Sequence, residues 1–457
     1  MESVARQLSM TPLLRTPTGL DLEPAEPLVN GKANRLQPRD RAFHDWYRFV
    51  LSFPPHLVRH YIQGFHLSPG QVVLDPFCGT ATTLIEARHQ AMRSIGLEAN
   101  PFAAFASRVK LDWEVDPELM TVRAAEIGQS VRALLQAQGI DDCEPFGARP
   151  INAPLRTLES EAERLILANS ISPLPLHKTL ALIDSLREHR NERYYEHMRL
   201  ALANALVSKI GNLHFGPEVG VGKAKKNAPV VACWLAEVHN IASDLRLVAG
   251  KAHVASTVCL ADARRIGEVL DPQSVDAVIT SPPYPNEKDY TRTTRLESVL
   301  LGFITSRAQL REQKQEFLRS NTRGVYKGDD DDEWVAGHQG IQAIAAAIER
   351  RRCELGKESG FERLYGRVTR LYFGGMARHL AQLRTVLRPG AKLAYVVGDQ
   401  ASYLRVMIRT GQLLAEIAEA LGYQAERIDL FRTRFSTATK EQLREEVVVL
   451  RWNGSGG

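Results

Sequence analysis

The chain carries apolar runs too unbroken for a sheet that keeps one face in water. "GQVVLDPF", "VDAVITSPPY", "AKLAYVVGDQ" and "EEVVVLRW" set valine, leucine, isoleucine and alanine side by side, with little alternation of polar and apolar residues. Between these runs lie stretches such as "RLALANALVSKIGNL", with apolar residues at helical spacing. Strands covered on both faces and separated by helices predict an α/β fold with a mainly parallel sheet. In such a sheet the ligand lies beyond the carboxyl ends of the strands. The residues at those ends are Asp75, Glu98, Asp262 and Ser281.

The chain is 457 residues long, enough for a core domain with large insertions. We divide it into a Pro- and Gly-rich arm at 1–40, a first core part at 41–112, a helical insertion at 113–250 and a second core part at 251–457. The second part holds a further helical insert at about 301–375. Its composition is that of a soluble globular protein, 44% hydrophobic and 24% charged, and no apolar run is long enough to span a membrane. Nothing suggests export, and the cysteines (Cys78, Cys143, Cys233, Cys259, Cys353) form no CxxC pair. That argues against a disulfide framework or a zinc site and fits the cytoplasm. A net charge of +5 permits a polyanionic partner without requiring one.

Three acids stand at three strand ends. "VVLDPFCGTATT" closes a strand with Asp75, and Gly79 and Thr80 let a ligand approach the backbone before a helix begins. The stretch has no GKT or GKS, so it is not a Walker phosphate loop. Glu98 closes the next strand and can accept hydrogen bonds from both hydroxyls of a ribose. Asp262 closes "VCLAD" and can accept from an adenine amino group. The set describes a nucleoside pocket for a ligand with a polar or cationic tail.

"LDPFCGTATT" resembles the cofactor motif of S-adenosylmethionine-dependent DNA amino-methyltransferases, and "TSPPY" resembles their catalytic motif. The resemblance covers roughly 43–112, 253–300 and 380–452. It implies a Rossmann-like class I methyltransferase fold with a mainly parallel seven-stranded sheet. It also implies S-adenosylmethionine held at Phe53, Asp75, Pro76, Phe77, Gly79, Thr80, Glu98, Asn100 and Asp262, no metal, and catalysis at Ser281, Pro282, Pro283 and Tyr284. Ala81 stands where the family usually has a second glycine. Alanine tolerates positive φ poorly, so a slightly different loop is expected there.

The abrupt end of "VDAVITSPPY" has a chemical reason. An exocyclic base amine is a weak nucleophile because its lone pair is delocalised into the ring. Acceptors against its N–H bonds, the Ser281 hydroxyl and the Pro282 carbonyl, favour pyramidalisation. Consecutive prolines set the carbonyl direction in advance. Tyr284 offers a face on which a base taken out of the helix can stack. Cytosine N4 and adenine N6 are both such amines, so the mechanism does not choose between them; the resemblance leans toward cytosine N4, because a leading serine is commoner there. An RNA base methyltransferase and a binding module without chemistry are the alternatives. Methylation of cytosine C5 needs a thiolate, usually after a proline, and no cysteine here follows one.

The expected partner is double-stranded DNA, with a cognate restriction endonuclease as a candidate second partner. Phosphate contacts are expected at Lys223, Lys225 and Lys226 of "GVGKAKK", and at Arg432, Arg434 and Lys440. The 113–250 insertion is expected to read the target. The acidic stretch "DDDDE" is expected to be merely solvated, and the arginines of "ERRRCE" either meet phosphate or line an exposed helix. His44, His214 and Tyr194–Tyr195 are expected to be structural or surface residues.

Overall fold

The computed structural model describes residues 36, 40–47, 53–142, 154–215, 219–250, 254–286, 288–435 and 441–454. Most of the expected arm and Lys440 lie outside them. The strands in chain order are β1 (Val72–Asp75), β2 (Arg93–Glu98), β3 (Leu213–Phe215), β4 (Val219–Val221), β5 (Ser256–Leu260), β6 (Val275–Thr280), β7 (Leu387–Gly398), β8 (Gln424–Phe435) and β9 (Gln442–Trp452). Seven of them form one sheet in the order β5-β2-β1-β6-β7-β9-β8, while β3 and β4 pair as a separate hairpin. β1, β2, β5, β6 and β7 pair in parallel, and β9 runs antiparallel between β7 and β8. This is a mainly parallel seven-stranded Rossmann-like sheet with one antiparallel strand, the arrangement the resemblance implies.

The unbroken apolar runs have the burial they imply. All four residues of β1 are buried, as are Ala277, Val278 and Ile279 of β6. The helix Tyr365–Leu383 packs Val368, Tyr372, Phe373 and Met376 into the same core as β6 and β7. On the other side, Phe102 and Phe105 of the helix Pro101–Lys110 share a core with Phe43, Trp46, Met198 and Trp234. The helices of 113–250 therefore close over the helix that follows β2. Among the described residues, no helix is long and apolar enough to cross a membrane.

The strand order reverses between β1 and β6, which are neighbours in the sheet. Connections leave these two strands in opposite directions, so a crevice opens at their carboxyl ends.

Candidate active site

That crevice is a cavity of about 870 Å³. It is lined by Phe53, Pro76, Phe77, Gly79, Thr80, Glu98, Asn100, Asp262, Ser281, Pro282, Pro283 and Tyr284, so both motifs face one space. Asp75 stands directly behind the lining and is fully buried.

Each acid is held by a different device. Asp75 Oδ1 accepts from the Thr280 hydroxyl at 2.6 Å and from the Phe77 N–H at 3.1 Å, which clamps the ends of β1 and β6 together. Its Oδ2 is buried and has no hydrogen-bond partner, an acceptor left over for a donor in the crevice. Burial pushes the Asp75 carboxyl up to about 6. Glu98 accepts from the N–H of Gly79 at 2.9 Å and of Asn100 at 2.7 Å, and burial pushes it up to about 7. Asn100 also caps the helix Pro101–Lys110, accepting from the Phe102 N–H at 3.0 Å. Asp262 lies 2.7 Å from the buried guanidinium of Arg264, which sets the direction of its carboxylate.

The glycine turn corrects one expectation. Ala81 adopts the left-handed conformation after all, with φ 71° and no exposed surface. Its methyl packs in the core beside Leu84 and Ile85, and that burial offsets the backbone strain. Gly79 is left-handed as well, with φ 53°, and a Cβ there would meet open space. The cavity therefore reaches the Gly79 backbone. The turn has a second anchor that the sequence did not reveal. Lys110 is 1% exposed and its ammonium donates to the carbonyls of Thr80 at 2.8 Å, His44 at 3.2 Å and Tyr47 at 3.3 Å. A lysine at the end of an ordinary helix gives no local sign of that reach.

The catalytic stretch is equally constrained. The Ser281 hydroxyl donates to the Val396 carbonyl at 3.2 Å, so its proton is engaged and its lone pairs remain to accept. The Tyr284 N–H donates to the Tyr290 hydroxyl at 3.3 Å, which fixes the peptide after the second proline. Burial raises the Tyr284 phenol well above its ordinary value, so the ring stays neutral. That ring leans on Gly398, where an added Cβ would lie 2.9 Å from it. Tyr290 and Gly398 are functional positions missed from sequence. Tyr290 was within sight, since it closes the "SPPYPNEKDY" stretch.

The expected phosphate contacts separate. Arg432 and Arg434 line the cavity. Arg432 is bound through Nε and a terminal nitrogen to both oxygens of Glu445, each at 2.6 Å, whereas Arg434 is exposed. Lys223, Lys225 and Lys226 do not line the cavity. Lys223 and Lys226 are exposed, and the Lys225 N–H is tied to Asn212 Oδ1 at 2.7 Å. The acidic stretch is not merely solvated. Asp331 is 2% exposed and pairs with Arg264, and Asp329 pairs with Arg319. A buried charge needs such a partner, and the Arg264 that supplies it for Asp331 is distant in sequence. Arg351 and Arg352 pair with Glu354 and Glu349 along their own helix. Tyr194 and His44 are buried, the latter bound to Glu86 at 2.8 Å.

Residues 30–107 match the DNA methylase family model for N6 and N4 amino-methylation. Two type II methyltransferases align over 93% of the chain at 24% identity. One is M.BsoBI of Geobacillus stearothermophilus, covered over 86% of its length, and the other M.AvaI of Nostoc, covered over 88%. The chain is thus similar to DNA amino-methyltransferases in its cofactor-motif segment and along most of its length. The family reaction is methyl transfer from S-adenosylmethionine to a base amine in DNA. A solved structure, TrmN from Thermus thermophilus, aligns with 90% of this chain and 52% of its own at 11% identity, with a TM-score of 0.31.

The residues present fit that cofactor. Phe53 and Phe77 offer apolar walls, the Gly79 turn leaves room, and Asp75 holds a buried acceptor without a partner. Glu98 gives the fit a pH signature. Hydroxyl donors bind an ionised carboxylate best, and here the ordinary value is raised to about 7. Cofactor affinity is therefore expected to rise with pH through about 7, by up to about tenfold per unit below it. Glu98→Gln is expected to flatten this dependence in calorimetry at pH 6, 7 and 8. An unchanged slope in the variant would remove Glu98 from the site. By the same sign, the ligand-free fold binds more protons at Glu98 than the unfolded chain does. It loses stability as pH rises from the ordinary glutamate range to about 7.

Proposed function

We propose that this chain methylates the exocyclic amine of a base flipped out of double-stranded DNA, within a particular recognition sequence, and that the amine is cytosine N4. The observation that carries the reading is Ser281. Its hydroxyl proton is spent on Val396, and its lone pairs border the cavity that the cofactor motif also lines. When bound, S-adenosylmethionine supplies the electrophilic methyl group. Phe53, Phe77, Gly79, Thr80, Glu98, Asn100 and Asp262 would hold it, with Pro76 and Asp75 shaping the turn. Ser281 and the Pro282 carbonyl accept from the base amine and free its lone pair. Pro283 and the Tyr290 hydroxyl fix the peptide that carries Tyr284, and Tyr284 gives the base a face to stack on. Arg434 at the rim, and Lys223, Lys225 and Lys226 on their loop, stand as phosphate contacts, and the 113–250 insertion as a target reader.

Nucleoside mass spectrometry of duplex DNA treated with the purified protein and cofactor decides the base. N4-methylcytosine supports the reading, and N6-methyladenine replaces it with the adenine alternative. Modification of RNA alone, or no transfer to any nucleic acid, would overturn it. Sequencing that detects modified bases then gives the recognition sequence. A restriction endonuclease cutting that same sequence is the partner to seek.

A further inference from the structure

One wall of the cavity comes from a segment that neither motif predicts. Lys314, Phe317, Arg319, Ser320, Asn321 and Gly324 line it. This wall is fastened on several sides. Lys314 pairs with Asp289 at 2.6 Å, and the Asn321 amide donates to the Lys288 carbonyl at 3.0 Å, just beyond the catalytic stretch. The Ser320 carbonyl accepts from the Tyr403 hydroxyl at 3.0 Å, beyond the end of β7.

The outer side of the same segment is cationic. Residues 307–327 hold six basic and two acidic side chains, a net +4, against +5 for the whole chain. Two of the six have carboxylate partners, Lys314 with Asp289 and Arg319 with Asp329. The other four, Arg307, Arg311, Arg323 and Lys327, are exposed, and no carboxylate among the described residues pairs with them. Many cations of the 113–250 insertion are neutralised instead, although Lys223 and Lys226 on its loop are exposed without a carboxylate partner among the described residues. Arg123, Arg193, Arg199, Lys209 and Arg246 of the insertion each have an acidic partner. The acids that follow the segment do not pair with these four cations. Asp329 is committed to Arg319, and Asp331 to Arg264 and Arg378.

Two of the unpaired cations continue into the paired Lys314 along one helix face. Arg307, Arg311 and Lys314 recur at helical spacing on the helix Arg307–Gln315, so they form one stripe that ends at the cavity. Arg311 lies 5.4 Å from the Tyr326 ring and Arg323 lies 6.0 Å from the Phe361 ring, so aromatic faces rather than carboxylates hold these two guanidinium groups. Such groups keep their full charge for an incoming anion.

We propose that the outer face of residues 307–327 is the track for the sugar-phosphate backbone of the strand whose base enters the cavity, with Arg311, Arg323 and Lys327 as phosphate contacts. This rests on the DNA reading given above. A base can enter only if its own backbone runs along the rim, and Arg307, Arg311, Arg323 and Lys327 stand exposed there without a carboxylate partner among the described residues.

The test compares duplex affinity at several salt concentrations for the parent and for the triple variant Arg311→Gln, Arg323→Gln, Lys327→Gln. Three lost contacts are expected to reduce the slope of log affinity against log salt by about 2.7, since each contributes about 0.9. Between about 50 and 200 mM salt the parent should lose about 40-fold more affinity than the variant. Cofactor affinity and melting temperature should match the parent. Arg311→Lys with Arg323→Lys keeps the charge and should restore the slope, which a folding defect would not allow. A triple variant with the parent's slope overturns the track while methylation by the parent leaves the DNA reading intact. If changing Lys223, Lys225 and Lys226 removes the slope and the rim variant does not, the strand lies on that loop instead. A parent that neither binds nor methylates duplex DNA overturns both readings.

Discussion

Arg264→Met is expected to destabilise the fold by about 3–5 kcal/mol and to weaken cofactor binding with it. Arg264 is 8% exposed and is the shared cation of two buried acids. Its guanidinium lies 2.7 Å from Asp262 and 2.5 Å from Asp331, and it also donates to the Gln315 carbonyl at 3.2 Å. Replacing it with an apolar side chain of similar length leaves Asp262 buried without a counterion and Asp331 with only Arg378, at 3.3 Å, which is far costlier than losing a surface pair. The paired acids belong to different parts of the chain. Asp262 follows β5, Asp331 lies in the acidic stretch, and Gln315 ends the helix that leads to the cavity wall. The variant should therefore release that wall as well as Asp262. Urea unfolding gives the stability and calorimetry the affinity. Adding Asp331→Asn to Arg264→Met should recover part of the loss, because one poorly compensated charge is gone. A loss under about 1 kcal/mol would mean that the acids find other partners, and the network would not be what holds the wall.

What was legible in the sequence were features written locally. Valine-rich runs show buried strands, and an acid or a Ser-Pro-Pro-Tyr at the end of a run shows where a strand meets a ligand. Phe77, Gly79, Glu98 and Tyr284 could all be placed in this way. What was not legible depends on distant partners. Nothing near Asp331 says that Arg264 will bury it, and nothing near Lys110 says that it will reach back to the Thr80 carbonyl. Ala81 shows the same limit in the backbone. Its intrinsic preference argued against a left-handed turn, and a fully buried methyl outweighed that preference. The wall from Lys314 to Gly324 has no motif of its own. It becomes part of the site only because Asn321 and Ser320 are tied to the loops after β6 and β7.

Tyr284→Ala is expected to slow methyl transfer on duplex DNA by about 5- to 150-fold while cofactor affinity stays near the parent's. The magnitude follows from a stacking contact of about 1–3 kcal/mol per base. The geometry makes the ring's position specific. Its backbone N–H is held by Tyr290, and its ring is seated against Gly398 at a separation that leaves no room for a Cβ. Tyr284→Phe keeps the face and should retain most of the rate. Gly398→Val should mimic the alanine variant, because the added methyl groups must displace the ring from its seat. Single-turnover rates with saturating cofactor separate this role from binding. A reading in which Tyr284 merely stabilises the loop predicts that Tyr284→Ala and Gly398→Val lower the melting temperature and leave the transfer rate at saturation unchanged. Full single-turnover activity in Tyr284→Ala would falsify the stacking role, and the base would then have to rest on another aromatic face of the cavity, Phe317 or Phe431.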